Sequence, residues 1–258
     1  MIRALLLIAL AWAAAAQNAA PDREQAARDA VSNATRSLAE RHAASFLDTL
    51  DKPLASQLRK PIETLLRSYD VQPAIEFVSA TADDHGVALV IDWKMDVAAR
   101  EGLRSVTHRE RRVTCRVESR DGASKIVTLD GALGVLAPPD IDGAWDLLQS
   151  AARLLSQPES PTAGFLSAFD SKLPNYELLR TAAESLTAQG EVDSTIGLTT
   201  DEGTDTARTL EVDWTMEVVS AETGIRIQQR ESPLTVKVER RGSRWVIVSI
   251  APLEFFTK

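Results

Sequence analysis

The side chains best suited to acid–base chemistry near neutral pH are the three histidines of this chain. His85 follows two aspartates in a predicted turn, and His108 precedes a run of arginines, so both are expected to be solvated. His42 lies four residues before Phe46 on a predicted helix and could face an internal cavity. A half-buried structural histidine is the simpler interpretation, but His42 remains a candidate ligand-binding residue.

Four carboxylates, Asp92, Asp96, Asp213 and Glu217, lie on two predicted strands. In each strand they alternate with apolar residues, and successive side chains of a strand point to opposite faces. A general base must come within hydrogen-bond reach of its substrate. Because these carboxylates share the polar face, we predict that they are solvated, and we identify no catalytic residue.

Sequence motifs for metals and cofactors are missing from the chain. No two histidines have the i, i+4 spacing of common zinc motifs, and there is no Gly-x-Ser-x-Gly elbow, phosphate loop or dinucleotide fingerprint. The sequence therefore predicts neither a metal nor a cofactor. The single cysteine, Cys115, lies on the apolar phase of its strand and is interpreted as a buried small hydrophobe.

Aromatic side chains supply the other candidates for a ligand site. Trp93 and Trp214 lie on the apolar phase of predicted strands, where packing in the core is the more common role. Tyr69 and Tyr176 lie on predicted helices and would need a partner for the hydroxyl group if buried. These four residues and His42 are the candidate cavity residues.

The strand that contains Trp93 occurs twice in the chain. Residues 91–97 and 212–218 are identical at four of seven positions, and their offset is 212 − 91 = 121 residues. Residues 113–120 and 234–241 match at the same offset. Two matches at one offset predict a duplicated domain.

Each predicted copy begins with helices and continues with strands. In the first copy an alanine stripe (Ala26, Ala30, Ala34, Leu38) predicts one helix, a second contains Phe46, and a third begins near Pro61. Strands are predicted near 75–80, 87–97, 113–117 and 126–129, and again at 192–198, 207–218, 225–239 and 245–250. This order predicts an α+β fold with two repeated units, each of about three helices followed by an antiparallel sheet of about four strands.

The start of the chain is typical of an export signal. Arg3 precedes an apolar segment at residues 5–12, and an A-x-A site precedes Gln17. The segment is too short for a membrane span, which needs about 20 residues. We therefore predict a signal peptide at 1–16, a linker at 17–21, a first domain at 22–136, a Pro-rich linker at 137–142 and a second domain at 143–258. The mature protein would be periplasmic or secreted, without a membrane span.

The net charge of −8 argues against nucleic acid as a partner, because phosphate binding needs clustered lysine and arginine. Two basic runs, at residues 109–112 and 240–241, lie among acidic residues. We interpret both as solvated strand surface.

Two motifs carry a resemblance to a known superfamily. One is the Phe-Leu-x-x-Leu/Phe-Asp helix at residues 46–51 and 165–170, and the other is the Gly-Ser-Arg-Trp hairpin followed by alternating aliphatic residues at 242–250. With helices followed by a curved sheet, the chain resembles the nuclear transport factor 2-like (SnoaL-like) superfamily over nearly its whole predicted mature length.

The resemblance implies a cone-shaped fold with a cavity between the sheet and the helices. Members that move protons use an Asp or His base in that cavity, with a Tyr or a protonated Asp as partner. Because no such pair is evident here, we predict an exported, non-enzymatic protein that binds an unidentified protein or an apolar small molecule. The alternatives are an isomerase- or dehydratase-like enzyme with its cavity in the second domain, and a structural envelope component. We expect a monomer that forms an internal pseudo-dimer.

Overall fold

The structure is a computed structural model. It describes the backbone of residues 2–102, 104–139, 142–157 and 161–257, and the side chains of these ranges from residue 21 onward without residue 161. The chain forms two compact units. Unit 1 comprises the residues up to Arg100 together with Arg109–Pro138, and unit 2 comprises Glu101–His108 together with Pro139–Lys258.

Unit 1 contains four helices: α1 (Ile2–Ala39), α2 (Ala43–Asp48), α3 (Lys52–Ser68) and α4 (Leu133–Leu136). Helix α1 runs without interruption through residues 17–21, where a linker is predicted. The side chains of the predicted signal peptide lie outside the described residues. In the part of the chain with described side chains, no helix combines the length and the apolar character needed to cross a membrane.

The buried stripe of α1 differs from the predicted one. Ala27, Val31, Ala34 and Leu38 are buried, whereas Ala26 is exposed. With about 3.6 residues per turn, a strict four-residue spacing drifts around the helix, while alternating steps of four and three keep one face against the core. Ala27 and Val31 therefore lie on the buried face in place of Ala26, and Ala30 is partly buried beside them.

Helix α3 begins nine residues before the predicted start at Pro61 (61 − 52 = 9). Asp51 is its N-cap, and the carboxylate accepts a hydrogen bond from the backbone N–H of Leu54 at 3.1 Å. Pro53 occupies the first turn, where the missing N–H costs little. Pro61 lies inside the helix, so the prediction that it starts the helix is wrong.

The sheet of unit 1 is formed by β1 (Tyr69–Ala82), β2 (Val87–Ala99), the part of β3 (Arg104–Arg120) from Arg109 onward, and β4 (Ala123–Asp130). The order is β1-β2-β3-β4, with β1 antiparallel to β2 and β3 antiparallel to β4. All four predicted strands are present, and each extends beyond its predicted limits.

Unit 2 has the same order of elements. Its helices are α5 (Asp142–Leu155), α6 (Pro161–Leu166), α7 (Tyr176–Gln189) and α8 (Glu254–Thr257). Its strands are β5 (Glu191–Gly203), β6 (Ala207–Val219), β7 (Arg226–Arg241) and β8 (Arg244–Ala251), joined as successive antiparallel neighbours. The α+β fold class is confirmed.

The domain boundary differs from the prediction in one segment. Residues 101–108, predicted to belong to the first domain, are part of unit 2. Arg104–Thr107 pair in parallel with Thr200–Gly203 of β5. Sequence patterns report local alternation, whereas this pairing joins residues that are 96 positions apart (200 − 104 = 96).

The predicted strand phases are confirmed. In β2 the side chains of Val87, Leu89, Ile91, Trp93, Met95 and Val97 are buried, and Lys94 and Asp96 are exposed. In β6 the side chains of Leu210, Val212, Trp214, Met216 and Val218 are buried, and Glu211 and Asp213 are exposed. Each unit therefore places one apolar sheet face against its own helices.

The irregular positions of the two sheets share the offset seen in the sequence. The pairing register shifts at Val78 in β1 and at Thr199 in β5, and 199 − 78 = 121. It shifts again at Val127 in β4 and at Val248 in β8, and 248 − 127 = 121. The short helices α4 and α8 also begin 254 − 133 = 121 residues apart.

Candidate functional site

The interior of unit 2 is filled by aromatic side chains. Trp214 is fully buried and packs against Phe256, with ring centroids 5.4 Å apart and the rings nearly perpendicular. Phe165 lies 6.5 Å from Trp214 and 5.7 Å from Phe256. Edge-to-face pairs of this kind add to the stability gained by burial. Trp214 is thus a residue of the hydrophobic core of unit 2.

The indole of Trp214 is also hydrogen-bonded inside the core. Its Nε1–H donates to the hydroxyl oxygen of Ser194 at 2.8 Å, and both residues are buried. The sequence drew attention to the tryptophan but not to Ser194, which lies on the buried phase of β5 with Val192.

We expect the change Ser194→Ala to lower the free energy of unfolding by about 1–3 kcal/mol, because the buried indole N–H would lose its acceptor. Chemical denaturation of the full chain would measure the loss. Ser185→Ala is the matched control on exposed helix surface, with an expected change within about 0.5 kcal/mol. Equal effects of the two changes would contradict a specific role for the Ser194 hydroxyl.

Trp93 occupies the corresponding place in unit 1 and is only 2% exposed. Its Nε1 is buried and has no hydrogen-bond partner among the described residues. Pro73 stands where unit 2 has Ser194 (194 − 73 = 121), opposite Met95 as Ser194 is opposite Met216. Proline offers no hydroxyl, so Trp93 keeps the packing role and lacks the hydrogen bond.

The remaining predicted cavity residues are less buried than the two tryptophans, although Tyr69 and Tyr176 pack against the cores of their units. Tyr69 is the first residue of β1, not part of α3, and Tyr176 is the first residue of α7; both are half-buried. His42 precedes α2 as its N-cap residue, and its side chain is 63% exposed and 3.5 Å from Glu40. The prediction that His42 faces the cavity is therefore wrong. Helix α2 starts after His42, and the imidazole ring is exposed to solvent.

Outward carboxylates of β2 and β3 form ion pairs with basic residues of the neighbouring strand. Asp92 accepts two hydrogen bonds of 2.8 Å from Arg112, and this partner lowers the pKa of the Asp92 carboxyl. Lys94 lies 3.4 Å from Glu110. Side chains in such pairs are neutralised on the sheet surface, and none points into the interior where substrate chemistry would take place.

Asp83, in the turn between β1 and β2, has the strongest set of donors. Arg116 donates two hydrogen bonds of 3.0 and 2.7 Å to its carboxylate, and the backbone N–H groups of His85 and Gly86 donate two more. Hydrogen bonds from Arg116, followed by the bond from His85, hold the pKa of Asp83 well below its ordinary value of 3.8.

Because the folded-state pKa of Asp83 is lowered, its contribution to stability is present above pH 3.8 and is lost as the pH falls below that value. We expect Arg116→Gln to raise the pKa of Asp83 towards its ordinary value and to flatten this part of the stability profile. NMR titration of the side-chain carboxyl carbon would measure the pKa. Lys94→Gln, which removes a different surface pair, should leave the pKa of Asp83 unchanged.

Cys115 is fully buried on β3, and burial raises the pKa of its thiol to about 12. A thiol at neutral pH is a poor nucleophile, because the thiolate is the reactive form. The interpretation of Cys115 as a small core hydrophobe is consistent with this placement.

One buried ionic cluster was missed by sequence reasoning. The Arg208 side chain is fully buried, and its Nε donates to Asp201, which is 4% exposed. Its Nη1 donates to Thr107 at 3.0 Å, and its Nη2 donates to Ser105 at 3.1 Å. Backbone carbonyls of Thr204 and Val106 accept further bonds at 3.2 Å.

This cluster, which we call the Arg208 cluster, holds Arg104–Thr107 against β5. Every nitrogen of the guanidinium has an acceptor, so the buried charge is both paired and hydrogen-bonded, as burial requires. A sequence signal existed, because Arg208 shares the inward phase of β6 with Leu210 and Val212. The same signal applies to Arg109, which is only 8% exposed and donates to the carbonyl of Val135 at 2.8 Å. The prediction of solvated surface is wrong for Arg109.

Grooves are present on the surface of each unit, but their polar groups do not form a catalytic set. A groove of about 710 Å³ in unit 1 is lined by Arg120, Lys125 and Asp51, and Arg120 lies 3.2 Å from Asp51. A groove of about 880 Å³ in unit 2 lies at the ends of α5 and α7 and contains Glu191 and Asp193 without a basic residue. Across the described side chains, no three His, Cys, Asp or Glu residues are grouped as a metal site.

Comparison with known proteins gives structural likeness at low sequence identity. No protein-family model and no curated protein matches the sequence. A Nostoc punctiforme protein of unknown function with a cystatin-like fold is 15% identical, with 43% of this chain and 87% of that chain covered and a TM-score of 0.34. A nuclear transport factor 2-like protein of unknown function from Shewanella oneidensis is 14% identical, with 42% and 94% covered and a TM-score of 0.32.

A third solved structure matches a longer part of the chain. It is described as a nuclear transport factor 2-like protein involved in plasmid conjugation, is 7% identical, and covers 82% of this chain and 86% of its own, with a TM-score of 0.25. The chain is thus similar to nuclear transport factor 2-like proteins.

Proposed function

We propose that this chain is an exported, non-enzymatic protein made of two copies of a nuclear transport factor 2-like domain, and that it binds another protein. The filled interiors are the observation that carries the proposal. Trp93 and Trp214 occupy the space between sheet and helices in their respective units, at 2% and 0% exposure. If the side chains of a domain fill the space between its sheet and its helices, a partner binds at the outer surface.

The tandem arrangement is supported by irregularities that share one offset. Register shifts at Val78 and Val127 recur at Thr199 and Val248, each after 121 residues (199 − 78 and 248 − 127). Such shifts are kept within families because they set the bend of a strand. Two structural coincidences at the offset of the sequence repeat favour duplication of the whole domain.

The enzyme alternative has little support from the interior side chains. Proton-moving chemistry would need at least two polar groups that converge on a bound substrate. In the two interiors the polar groups include Ser194, already bonded to Trp214, and Cys115, whose raised pKa of about 12 keeps it protonated. The carboxylates predicted to be solvated lie on the opposite sheet face.

A protein partner is favoured over an apolar small molecule by one strand edge. Strand β7 pairs with β6 from Arg226 onward, but its other neighbour, β8, pairs only from Thr235. Ile225 and Ile227, next to this half-edge, are 67% and 53% exposed. An open edge with apolar side chains is suited to an added strand from another protein.

The test is native mass spectrometry of the full chain purified from its own cells. We expect a protein partner in complex with the chain, and we expect Ile227→Lys to reduce the amount of that complex while leaving the melting temperature unchanged. Thr223→Lys, in the exposed turn before β7, is the matched charge control. Loss of the complex in both variants, or in neither, would contradict docking at this edge.

A neutral apolar probe such as indole tests the filled interior. We expect no saturable binding to the native chain, whereas Trp214→Ala should open a cavity that binds the probe, as large-to-small changes in cores can do. Saturable binding of indole to the native chain would favour the alternative of an apolar small-molecule carrier.

Export is tested by the N-terminal residue of the protein recovered from outside the cytoplasm. Cleavage after Ala16 would leave Gln17 as the first residue. Recovery of the protein with Met1 retained would replace export as a free protein with a membrane-anchored form.

A further inference from the structure

Arg230 lies on the covered face of β7, where charged side chains are uncommon. It pairs with Met216 of β6, which is 1% exposed, and cross-strand partners project to the same face. It also shares the phase of Leu234 and Val236, which are buried. The side chain therefore starts on the helix side of the sheet and is half-buried.

The guanidinium of Arg230 is incompletely satisfied by the protein. Its Nη1 donates to the carbonyl oxygen of Phe255 at 2.7 Å, and its Nη2 donates to the side-chain oxygen of Gln228 at 2.9 Å. Its Nε is buried and has no partner among the described residues. A guanidinium carries five N–H groups, so the two bonds leave donors available on all three nitrogens.

The contrast with Arg208 shows that this chain can satisfy an arginine on the same face. Arg208 has the carboxylate of Asp201 and acceptors on each nitrogen. Arg230 has no carboxylate partner within the described part of the chain, and burial lowers its pKa with no opposing charge. A partly buried cation without an anion is destabilised unless a ligand supplies one.

A cavity of about 360 Å³ lies beside Arg230, between α7, β7 and α8. Leu178, Leu186 and Phe256 give it apolar walls, and Thr181 and Ser185 add hydroxyl groups. Arg230 is the single charged residue among those that line it. Leu178 is 50% exposed, so the apolar wall reaches the surface.

We propose that this cavity binds a small monocarboxylate with an apolar body, with the carboxylate on Arg230 and the body against Leu178, Leu186 and Phe256. The planar fork of arginine matches a carboxylate in geometry and charge. The single positive charge of Arg230 matches the single negative charge of a carboxylate better than a phosphate group, because phosphate groups are bound by clustered cations. The volume lies within the range of about 300–1,000 Å³ that is usual for small-molecule pockets.

The cavity borders the packed interior of unit 2, with which it shares Leu186 and Phe256, and Arg230 lies in the same segment of β7 as the half-edge. Ile225 and Ile227 are not among the residues that line it. Its ligand is independent of the protein partner proposed above. Failure of one proposal would leave the other standing, because the half-edge is tested with Ile227→Lys and the cavity with changes in Arg230 and Thr181.

The test is isothermal titration of the full chain with octanoate, and with 1-octanol as the uncharged analogue. We expect saturable binding of octanoate and at least tenfold weaker binding of octanol, since a charge-assisted hydrogen bond contributes about 1.5–3 kcal/mol, or roughly ten- to a hundredfold in affinity. Arg230→Gln should weaken octanoate by a similar factor. Arg226→Gln, a neighbouring exposed arginine paired with Glu217, should leave binding unchanged.

A second variant separates ligand binding from the support that Arg230 gives to α8 through Phe255. Thr181→Glu keeps Arg230 and places a carboxylate in the same cavity, so octanoate binding should be lost without a fall in melting temperature. Titration with N-acetyl-leucyl-leucine and its amide tests whether the bound carboxylate is the C-terminus of a peptide chain or a free small acid. Tighter binding of the peptide acid than of octanoate would identify a chain terminus as the ligand. Absence of saturable octanoate binding, equal binding of octanol, or unchanged binding in Thr181→Glu would overturn the proposal.

Discussion

Replacing Arg208 with methionine is expected to lower the free energy of unfolding by about 3–5 kcal/mol, because it leaves the carboxylate of Asp201 buried without its cation. Asp201 is 4% exposed, so water cannot take the place of the guanidinium. The hydroxyls of Ser105 and Thr107 lose a donor at the same time. Urea denaturation of the full chain gives the loss, and amide hydrogen exchange at residues 105–107 shows where it occurs.

Two further variants separate the buried charge from the hydrogen bonds of the Arg208 cluster. Combining Arg208→Met with Asp201→Leu should recover most of the stability, since replacing both ions by apolar groups is often neutral or stabilising. Arg226→Met is the surface control, and loss of its pair with Glu217 should cost less than about 1 kcal/mol. A single change at Arg208 as mild as this control would contradict the role given to the buried pair.

Trp214→Ala is the other change with a large expected effect, a loss of about 3–5 kcal/mol, as measured for large aromatic residues truncated in cores. Phe165, Phe255 and Phe256 surround the indole with ring centroids within 6.5 Å, so they would face an empty volume. Trp93→Ala should have a similar cost in unit 1. The N–H of Trp93 has no partner among the described residues, so the stability lost in Trp93→Ala is expected to come from packing.

Asp213→Asn and Asp92→Asn are the controls on the opposite face of the same strands, with expected changes within about 0.5 kcal/mol. Denaturant midpoints of the four variants can be compared directly. If the aspartate changes were the costly ones, the faces of β2 and β6 would be inverted, and a buried carboxylate would return as a candidate for catalysis.

Local pattern was sufficient for several features of this protein. The period-two alternation along β2 and β6 predicted Trp93 and Trp214 inside and Asp96 and Asp213 outside, and the structure confirms both. The order of helices and strands predicted the α+β class for the same reason, since each element buries the face that its own periodicity makes apolar. The sheet face on which such a side chain lies follows from its place in the local alternation and does not depend on distant residues.

Tertiary structure decided the features that depend on distant partners. Pro61 is a proline that sequence rules place at a helix start, but the capping bond of Asp51 and the core contacts of α3 put it inside the helix. The spacing of His42 from Phe46 makes it a candidate for the cavity or a half-buried structural histidine, whereas the start of α2 leaves its side chain exposed.

The inward arginines show the physical reason most clearly. Arg208 is stabilised by Ser105 and Thr107, which are 103 and 101 residues away along the chain, and residues 101–108 belong to unit 2 because of a parallel pairing with β5. Arg230 has the same inward phase but lacks such a set of acceptors. A sequence determines which face of a strand each residue occupies; the charge that a residue on the buried face meets there depends on which distant segment folds against it.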